Sequence, residues 1–309
     1  MATMRAAQGG INKTLRRFTI PEVLVRYDPP ETCPAAPVVF DSPHSGTVYP
    51  ADFGYAAPFE ILRRAEDAFV DELFADAPHH GASLLAALFP RSYIDPNRHE
   101  SEVDLTLFAE PWPHPVMPSE RAERGLGLIR RLVRPDTPVY NRRLTVAEVE
   151  SRIARFHRPY HAELKAMLDR AHGTFGAVWH VNCHSMKALG RGPIPRRHQP
   201  RKDFVLSDRD GTTCSADFTE MVRRTLVDLG YSVAVNHPFK GAELVARNGD
   251  PAGNRHSLQI EVNRGLYMDE RRVEKTPGFD ALKADINRLI AAIADYARSE
   301  AANGACSGR

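Results

Sequence analysis

The chain has 309 residues, 42% hydrophobic and 26% charged, with a formal net charge of +2. That length suits one large α/β domain or two small ones, and the even charge balance gives no reason to expect a nucleic-acid or anionic-membrane partner. No run of eighteen apolar residues is present to span a membrane, and the basic N-terminus lacks the apolar core and cleavage site of a secretory signal. Four scattered cysteines (Cys33, Cys183, Cys214 and Cys306) form no C-x-x-C pair. This argues against a disulfide framework or cysteine-built zinc site and fits a reducing, cytoplasmic setting.

Taken in chain order, residues 1–18 read as a loosely ordered polar arm and 19–299 as a single domain. Val38-Val39-Phe40 is an apolar strand that runs into Asp41-Ser42-Pro43-His44-Ser45-Gly46, where Pro43 and Gly46 end it. Apolar residues at helical spacing (Ile61, Leu62, Ala65, Phe69, Leu73, Phe74) predict a helix over 58–77. Strands follow at 82–88 and 92–94, the second running into Asp95-Pro96-Asn97-Arg98, and then a long proline-rich loop over 108–124. Thr145 and Glu148 form a capping box for a helix that Pro159 should kink or split, and that should end near Gly173. Residues 177–186 repeat the first plan, an apolar strand ending in His184-Ser185. Residues 189–202, rich in Pro and Arg, read as a mobile flap. Strands near 204–206, 232–236 and 257–263, with helices over 215–229 and 277–296, complete the pattern, and 300–309 reads as a flexible tail. Strands alternating with helices predict one three-layer α/β/α domain with a mixed sheet.

Ligands bind beyond the carboxyl ends of strands in such sheets, so His44 and His184 would meet at one edge. An isolated turn histidine is more often bonded to a nearby carbonyl. Two delivered alike look like ligands of one catalytic zinc, which takes three protein ligands from His and carboxylates. Glu66 and Asp67 offer the third. Asp67, short and beside apolar neighbours, is favoured, and Glu66 stays as the alternative; the plain reading of that pair is a solvated helix surface. Glu261 interrupts an apolar strand, either paired to a buried arginine or placed as a general base. Of several arginines near strand ends, Arg98 is the foremost carboxylate-binding candidate, with Asn97, Arg142 and Arg264 also considered. No G-x-S-x-G, P-loop, G-x-G-x-x-G after a strand, or H-E-x-x-H is present.

Several stretches occur in a familiar order: Asp41-Ser42-Pro43-His44-Ser45-Gly46, Glu66-Asp67, Tyr93-Ile94-Asp95-Pro96-Asn97-Arg98, Arg158-Pro159-Tyr160-His161, Asn182-Cys183-His184-Ser185-Met186, Asp203-Phe204-Val205-Leu206, Pro238-Phe239-Lys240-Gly241 and Leu258-Gln259-Ile260-Glu261-Val262-Asn263-Arg264. Together, from about residue 38 to 270, the chain resembles the N-formylglutamate amidohydrolase family. The resemblance implies a phosphorylase/hydrolase-like fold akin to zinc carboxypeptidases and aspartoacylases, with one zinc held by His44, Asp67 and His184 and Glu261 activating water. The carboxypeptidase His-x-x-Glu pair is missing, because Thr47 occupies that place, so the second ligand must come from the following helix. The implied reaction is hydrolysis of N-formyl-L-glutamate to formate and L-glutamate, of the histidine-degradation type. A deacylase of another N-acyl amino acid or a peptide is the alternative, and a non-catalytic small-acid binding protein is the reading from a different class. The expected partner is thus a small acidic N-acyl amino acid, with no nucleic acid or membrane, and a homo-oligomer is left open.

Overall fold

The computed structural model describes residues 15–134, 137–191 and 198–307. Its centre is an eight-stranded mixed sheet. In chain order the strands are β1 (Arg16–Ile20), β2 (Leu24–Asp28), β3 (Val38–Ser42), β4 (Ser83–Ala87), β5 (Val178–Met186), β6 (Phe204–Ser207), β7 (Val233–Val235) and β8 (Arg255–Asn263). Their spatial order is β1-β2-β4-β3-β5-β8-β6-β7. The four central strands, β4, β3, β5 and β8, are parallel, while β2 and β6 flank them antiparallel. The carboxyl ends of β3, β5 and β8 therefore lie side by side, which brings the segments carrying His44, His184 and Glu261 to one edge.

Helices cover both faces and give the three layers expected. One apolar cluster packs α2 (Val70–Leu73), α5 (Ala216–Asp228) and α7 (Gly278–Ser307) against residues such as Phe40, Val181 and Ile260. A second packs α1 (Phe59–Arg63), α3 (Val146–Arg152) and α4 (Arg158–Phe175) against Val39, Leu85 and Val178. Because side chains alternate along a strand, the residues between the apolar ones of β5 and β8 all face the α4 side. His180, Asn182 and His184 form one such row, and Ser257, Gln259 and Glu261 the next. The register sets them opposite one another in pairs: Ser257 with His180, Gln259 with Asn182, Glu261 with His184.

Several expectations are corrected. The helix expected over 58–77 is two short helices, with Glu66 to Phe69 between them and Phe69 at φ +66°. Both Glu66 and Asp67 are buried, and a continuous helix would fix their directions by its own screw rather than by the partners each carboxylate needs. Residues 92 and 93 lie in a turn and Ile94 is irregular, so no strand forms there. Strand β1 begins at Arg16, inside the span expected to be a loose arm, because it pairs along its whole length with β2. Helix α7 runs to Ser307, through the span expected to be a tail. The arms of the expected flap pair as a hairpin, Leu189–Arg191 with His198–Pro200, and residues 192–197 between them lie outside the described residues. A further short helix, α6 (Glu243–Asn248), follows the β7 loop.

The kink expected at Pro159 takes the form of a π turn over Ile153–His157 joining α3 to α4. Proline has no N–H to give the carbonyl four residues back, and its ring crowds that carbonyl. His157 and His161 result on one side, their Nε2 atoms bonded to Arg98 O (2.9 Å) and Pro96 O (2.8 Å). They clamp the turn that carries Asp95 and Asn97. His161 Nδ1 also accepts from Arg247 at 3.1 Å, which requires the neutral ring. Burial, with His157 and Arg247 nearby, pushes its pKa down to about 3. In the unfolded chain it would take a proton near 6.5. The unfolded state therefore binds more protons below that pH, and stability falls as pH drops from about 6.5 toward 3. We expect His161→Gln, which keeps a donor for Pro96 O, to flatten the dependence of the urea midpoint on pH across this window. An unchanged slope would show that His161 does not carry the effect.

Candidate metal centre and hydrolytic cavity

The turn after β3 delivers His44. It can do so because Gly46 lies against the chain beyond β4, where a Cβ would stand 2.2 Å from Phe89 O. The turn between α1 and α2 delivers Asp67, latched to the first turn by its own N–H donating to His44 O at 3.0 Å. Strand β5 delivers His184. The three side chains are buried, and their ligand atoms lie within 4.8 Å of one another. Asp67 Oδ2 is 3.2 Å from His44 Nδ1 and 2.9 Å from His184 Nδ1.

Proton accounting shows what this cluster is suited to. His44 Nε2–H donates to Asp95 Oδ1 at 2.7 Å. His184 Nε2 is 2.7 Å from Asn182 Oδ1, and Asn182 is oriented by its own amide donating to Asp41 at 2.7 Å, so that ring too donates from Nε2. The Asn97 NH2, whose own Oδ1 accepts from Leu244 N–H at 2.9 Å, faces the same nitrogen at 3.0 Å, and the nearer Asn182 acceptor is the one that selects the tautomer. Both Nδ1 atoms then carry lone pairs aimed at a carboxylate. Three acceptors converge with no donor among them, an arrangement that a cation completes. Their spacing is close to the roughly 3.4 Å edge of a tetrahedron of ligands about 2.1 Å from zinc, and a histidine ligand whose other nitrogen donates to a carboxylate or amide is the usual support for such a site. These residues fit a divalent metal.

Burial alone would raise the Asp67 carboxyl, but the Arg91 guanidinium beside it holds it well below the usual carboxylate range. Asp95 is likewise held well below that range, against burial, by Arg91, His44 and Arg98. Glu261 is different. Burial raises its pKa, opposed chiefly by His184. Its hydrogen-bond partner is Gln259, whose amide donates at 3.0 Å, and among the described residues it has no ion pair. The buried-arginine partner weighed for it is absent there.

A cavity of about 870 Å³ opens over the cluster and is lined by His44, Asp67, His184, Glu261, Asn97, Arg98 and Arg264 among others. Two residues considered for the site lie elsewhere. Arg142 is on the surface, its guanidinium 2.6 and 3.0 Å from the two oxygens of Glu148, the helix-capping glutamate. Glu66 turns away from the cavity and accepts from Tyr49 Oη at 2.6 Å. Asp67, not Glu66, is thus brought to the histidines. Arg91, one of the strand-end arginines, does line the cavity, whereas sequence reasoning missed Asp95, Asn182, Gln259, Arg130 and Arg201. For Asn182 and Gln259 the signal was available, as polar residues recurring at every second position of an otherwise apolar strand.

The family model for N-formylglutamate amidohydrolase matches residues 36–268, three quarters of the chain. The chain belongs to that family. An N-formylglutamate amidohydrolase structure from Ralstonia eutropha JMP134 is 47% identical, with a TM-score of 0.85 over 90% of this chain and 99% of its own. The N-formylglutamate deformylase of Pseudomonas putida is 28% identical over 76% of this chain and 82% of its own, and that of Pseudomonas aeruginosa is 27% identical over 85% and 94%. This member of the N-formylglutamate amidohydrolase family is accordingly a hydrolase acting on an amide. No helix among its described residues is long and apolar enough to cross a membrane.

We expect His44→Ala and His184→Ala each to abolish retention of a divalent metal through dialysis, measured by elemental analysis. Asp67→Asn should weaken retention markedly and Glu66→Gln should leave it unchanged. The opposite order for the two carboxylates would move the third ligand to Glu66.

Proposed function

We propose that this chain is a zinc-dependent amidohydrolase that cleaves N-formyl-L-glutamate to formate and L-glutamate. The observation that carries the reading is the convergence of three acceptors, His44 Nδ1, Asp67 Oδ2 and His184 Nδ1, beside a carboxylate, Glu261, that makes no ion pair among the described residues. Nitrogen and oxygen donors in a set of three suit zinc with a position left open. When bound, the ion supplies positive charge that polarises the formyl oxygen and makes water more acidic.

The rest falls to the protein. Asp95 and Asn182 hold the two imidazoles in the tautomer that presents Nδ1. Gln259 holds Glu261 through the 3.0 Å bond from its amide, leaving the second carboxylate oxygen to face the cavity. Glu261 takes a proton from water as its oxygen adds to the formyl carbon. It then returns that proton to the glutamate nitrogen as the C–N bond breaks. A base whose pKa burial has raised above that of an ordinary glutamate holds the proton more readily between those two steps. The names of the relatives and the arginine-rich cavity both support an acidic N-formyl substrate.

Turnover of N-formyl-L-glutamate, followed by formate release, should be lost with chelator and restored by zinc. Glu261→Gln should lower kcat by at least ~10²-fold, the lower end for general acid–base catalysis, with metal content and melting temperature kept. A lowered melting temperature with turnover per folded molecule intact would make Glu261 structural instead. Faster cleavage of N-acetyl or of neutral N-formyl amino acids would keep the machinery and change the substrate.

A further inference from the structure

We infer that Arg130 and Arg201 are the two anchors for the carboxylates of an N-acylated acidic amino acid, one on each side of the His44–Asp67–His184 cluster. The inference rests on the hydrolase reading above and adds to it the residues that select a dianion. It starts from a hydrogen-bond account of the arginines around the cavity. Arg91 is committed, to Asp95 Oδ2 at 2.8 and 3.1 Å and to Asp67 at 3.4 Å. Arg264 is committed to Asp67 at 2.7 Å and Ser185 at 2.9 Å. Arg98, the foremost sequence candidate, donates to two backbone carbonyls, Asn97 O at 2.6 Å and Leu126 O at 3.1 Å. These three build the walls.

Arg130 and Arg201 are not committed in this way. Arg130 is only 9% exposed, and among the described residues its Nε has no partner and the nearest carboxylate oxygen, Asp95 Oδ2, is 3.7 Å away and already accepts twice from Arg91. Burial, aided by Arg91, pushes its pKa down to about 9. A buried guanidinium without a full acceptor is unfavourable, and an incoming carboxylate supplies the missing partner bidentately. Arg201 also has a buried Nε with no partner among the described residues, its guanidinium lies over the Phe239 ring, 4.9 Å from the centroid, and the acidic groups acting on it are Glu261 and Glu270, neither within ion-pair distance. Gly190 makes the room, since a Cβ there would stand 2.7 Å from that Nε.

Both side chains line the cavity that holds the metal cluster. Arg130 approaches from the His44 side, next to the Asp95 that holds that ring. Arg201 approaches from the β8 side, where Asn263, two residues past Glu261, bonds its carbonyl. Two uncommitted guanidiniums on opposite sides of a hydrolytic centre suit a substrate with two carboxylates flanking the acylated nitrogen. The competing structural role for Arg130 is as a distant counterion to Asp95. It predicts a loss of stability or metal with no change in substrate preference.

The test uses three substrates: N-formyl-L-glutamate, N-formyl-L-glutamine, which lacks the side-chain carboxylate, and N-formyl-L-isoglutamine, which lacks the α-carboxylate. The unaltered chain should prefer the diacid over each amide by roughly ten- to a hundred-fold in kcat/KM, the range for a hydrogen bond to a charged group. In Arg130→Met one of the two preferences should collapse toward unity, mostly through KM, and in Arg201→Met the other. Arg130→Lys should recover part of the lost preference, and metal content and melting temperature should stay near those of the unaltered chain. Both preferences unchanged in both variants, or both collapsing together in one, would overturn the assignment. Calorimetric binding of the same three compounds to the Glu261→Gln chain reads the same ratios without turnover. Retained ratios with no turnover in the unaltered chain would therefore sink the hydrolase reading alone. Turnover with unchanged ratios would sink only the two anchors.

Discussion

The structure around the site depends on one buried carboxylate, Asp67. Its two oxygens do different work. Oδ1 accepts from Arg264 at 2.7 Å and lies 3.4 Å from Arg91, while Oδ2 faces the two histidine nitrogens. Taking an anion out of water is costly unless charge and hydrogen bonds compensate it. Here the compensation sits on the far oxygen, so the near one stays available to a metal. The same residue ties the backbone together through its N–H to His44 O. A ligand that also latches another ligand's loop leaves little freedom in the set, which is what a site must have if it is to be formed before substrate arrives.

Rigidity on the other side comes from the sheet. Asp41 on β3 accepts from His180, Asn182 and Tyr160, at 2.9, 2.7 and 2.8 Å. Ser257 on β8 sits 2.7 Å from the other nitrogen of His180. A polar row thus crosses three parallel strands beneath α4 and ends at the candidate metal centre. Every member is buried, so an unmade bond anywhere would carry the full desolvation cost of the exposed partner, and the network admits one arrangement. Asp41 acts on the site at one remove, because it orients the amide that fixes the tautomer of His184.

How much of this was legible in the sequence follows from how local each feature is. Strand ends are local, so the edge where His44, His184 and Glu261 meet could be read from apolar runs and turn residues. The break at Pro159 is local too, because the missing N–H belongs to the residue itself. The helix over 58–77 was misread because its apolar spacing is satisfied equally by two short helices, and only the burial of Glu66 and Asp67, a tertiary fact, decides for the break. Asp95 gave no signal, since its role depends on a turn clamped from 60 or so residues away by His157 and His161. Arg142 was mistaken for a site residue because an arginine near a strand end looks the same whether it faces a cavity or caps a helix glutamate.

Arginine is the residue for which composition says least. A net charge of +2 describes the whole molecule, yet a single cavity gathers nine arginines and one lysine against three carboxylates. Counting charges would make all of them equal. Counting hydrogen bonds does not, because a guanidinium that already donates to Asp67, Asp95 or a backbone carbonyl has fewer of its five donors left for a ligand. Those arginines raise the field that draws an anion inward, but they cannot choose among anions. Choice requires a donor whose partner is missing until the right ligand supplies it, and whose desolvation makes the wrong ligand costly. By that criterion selectivity for an acidic substrate would reside in the least bonded guanidiniums, and those already donating to protein acceptors, however close to the candidate metal centre, would belong to its scaffold.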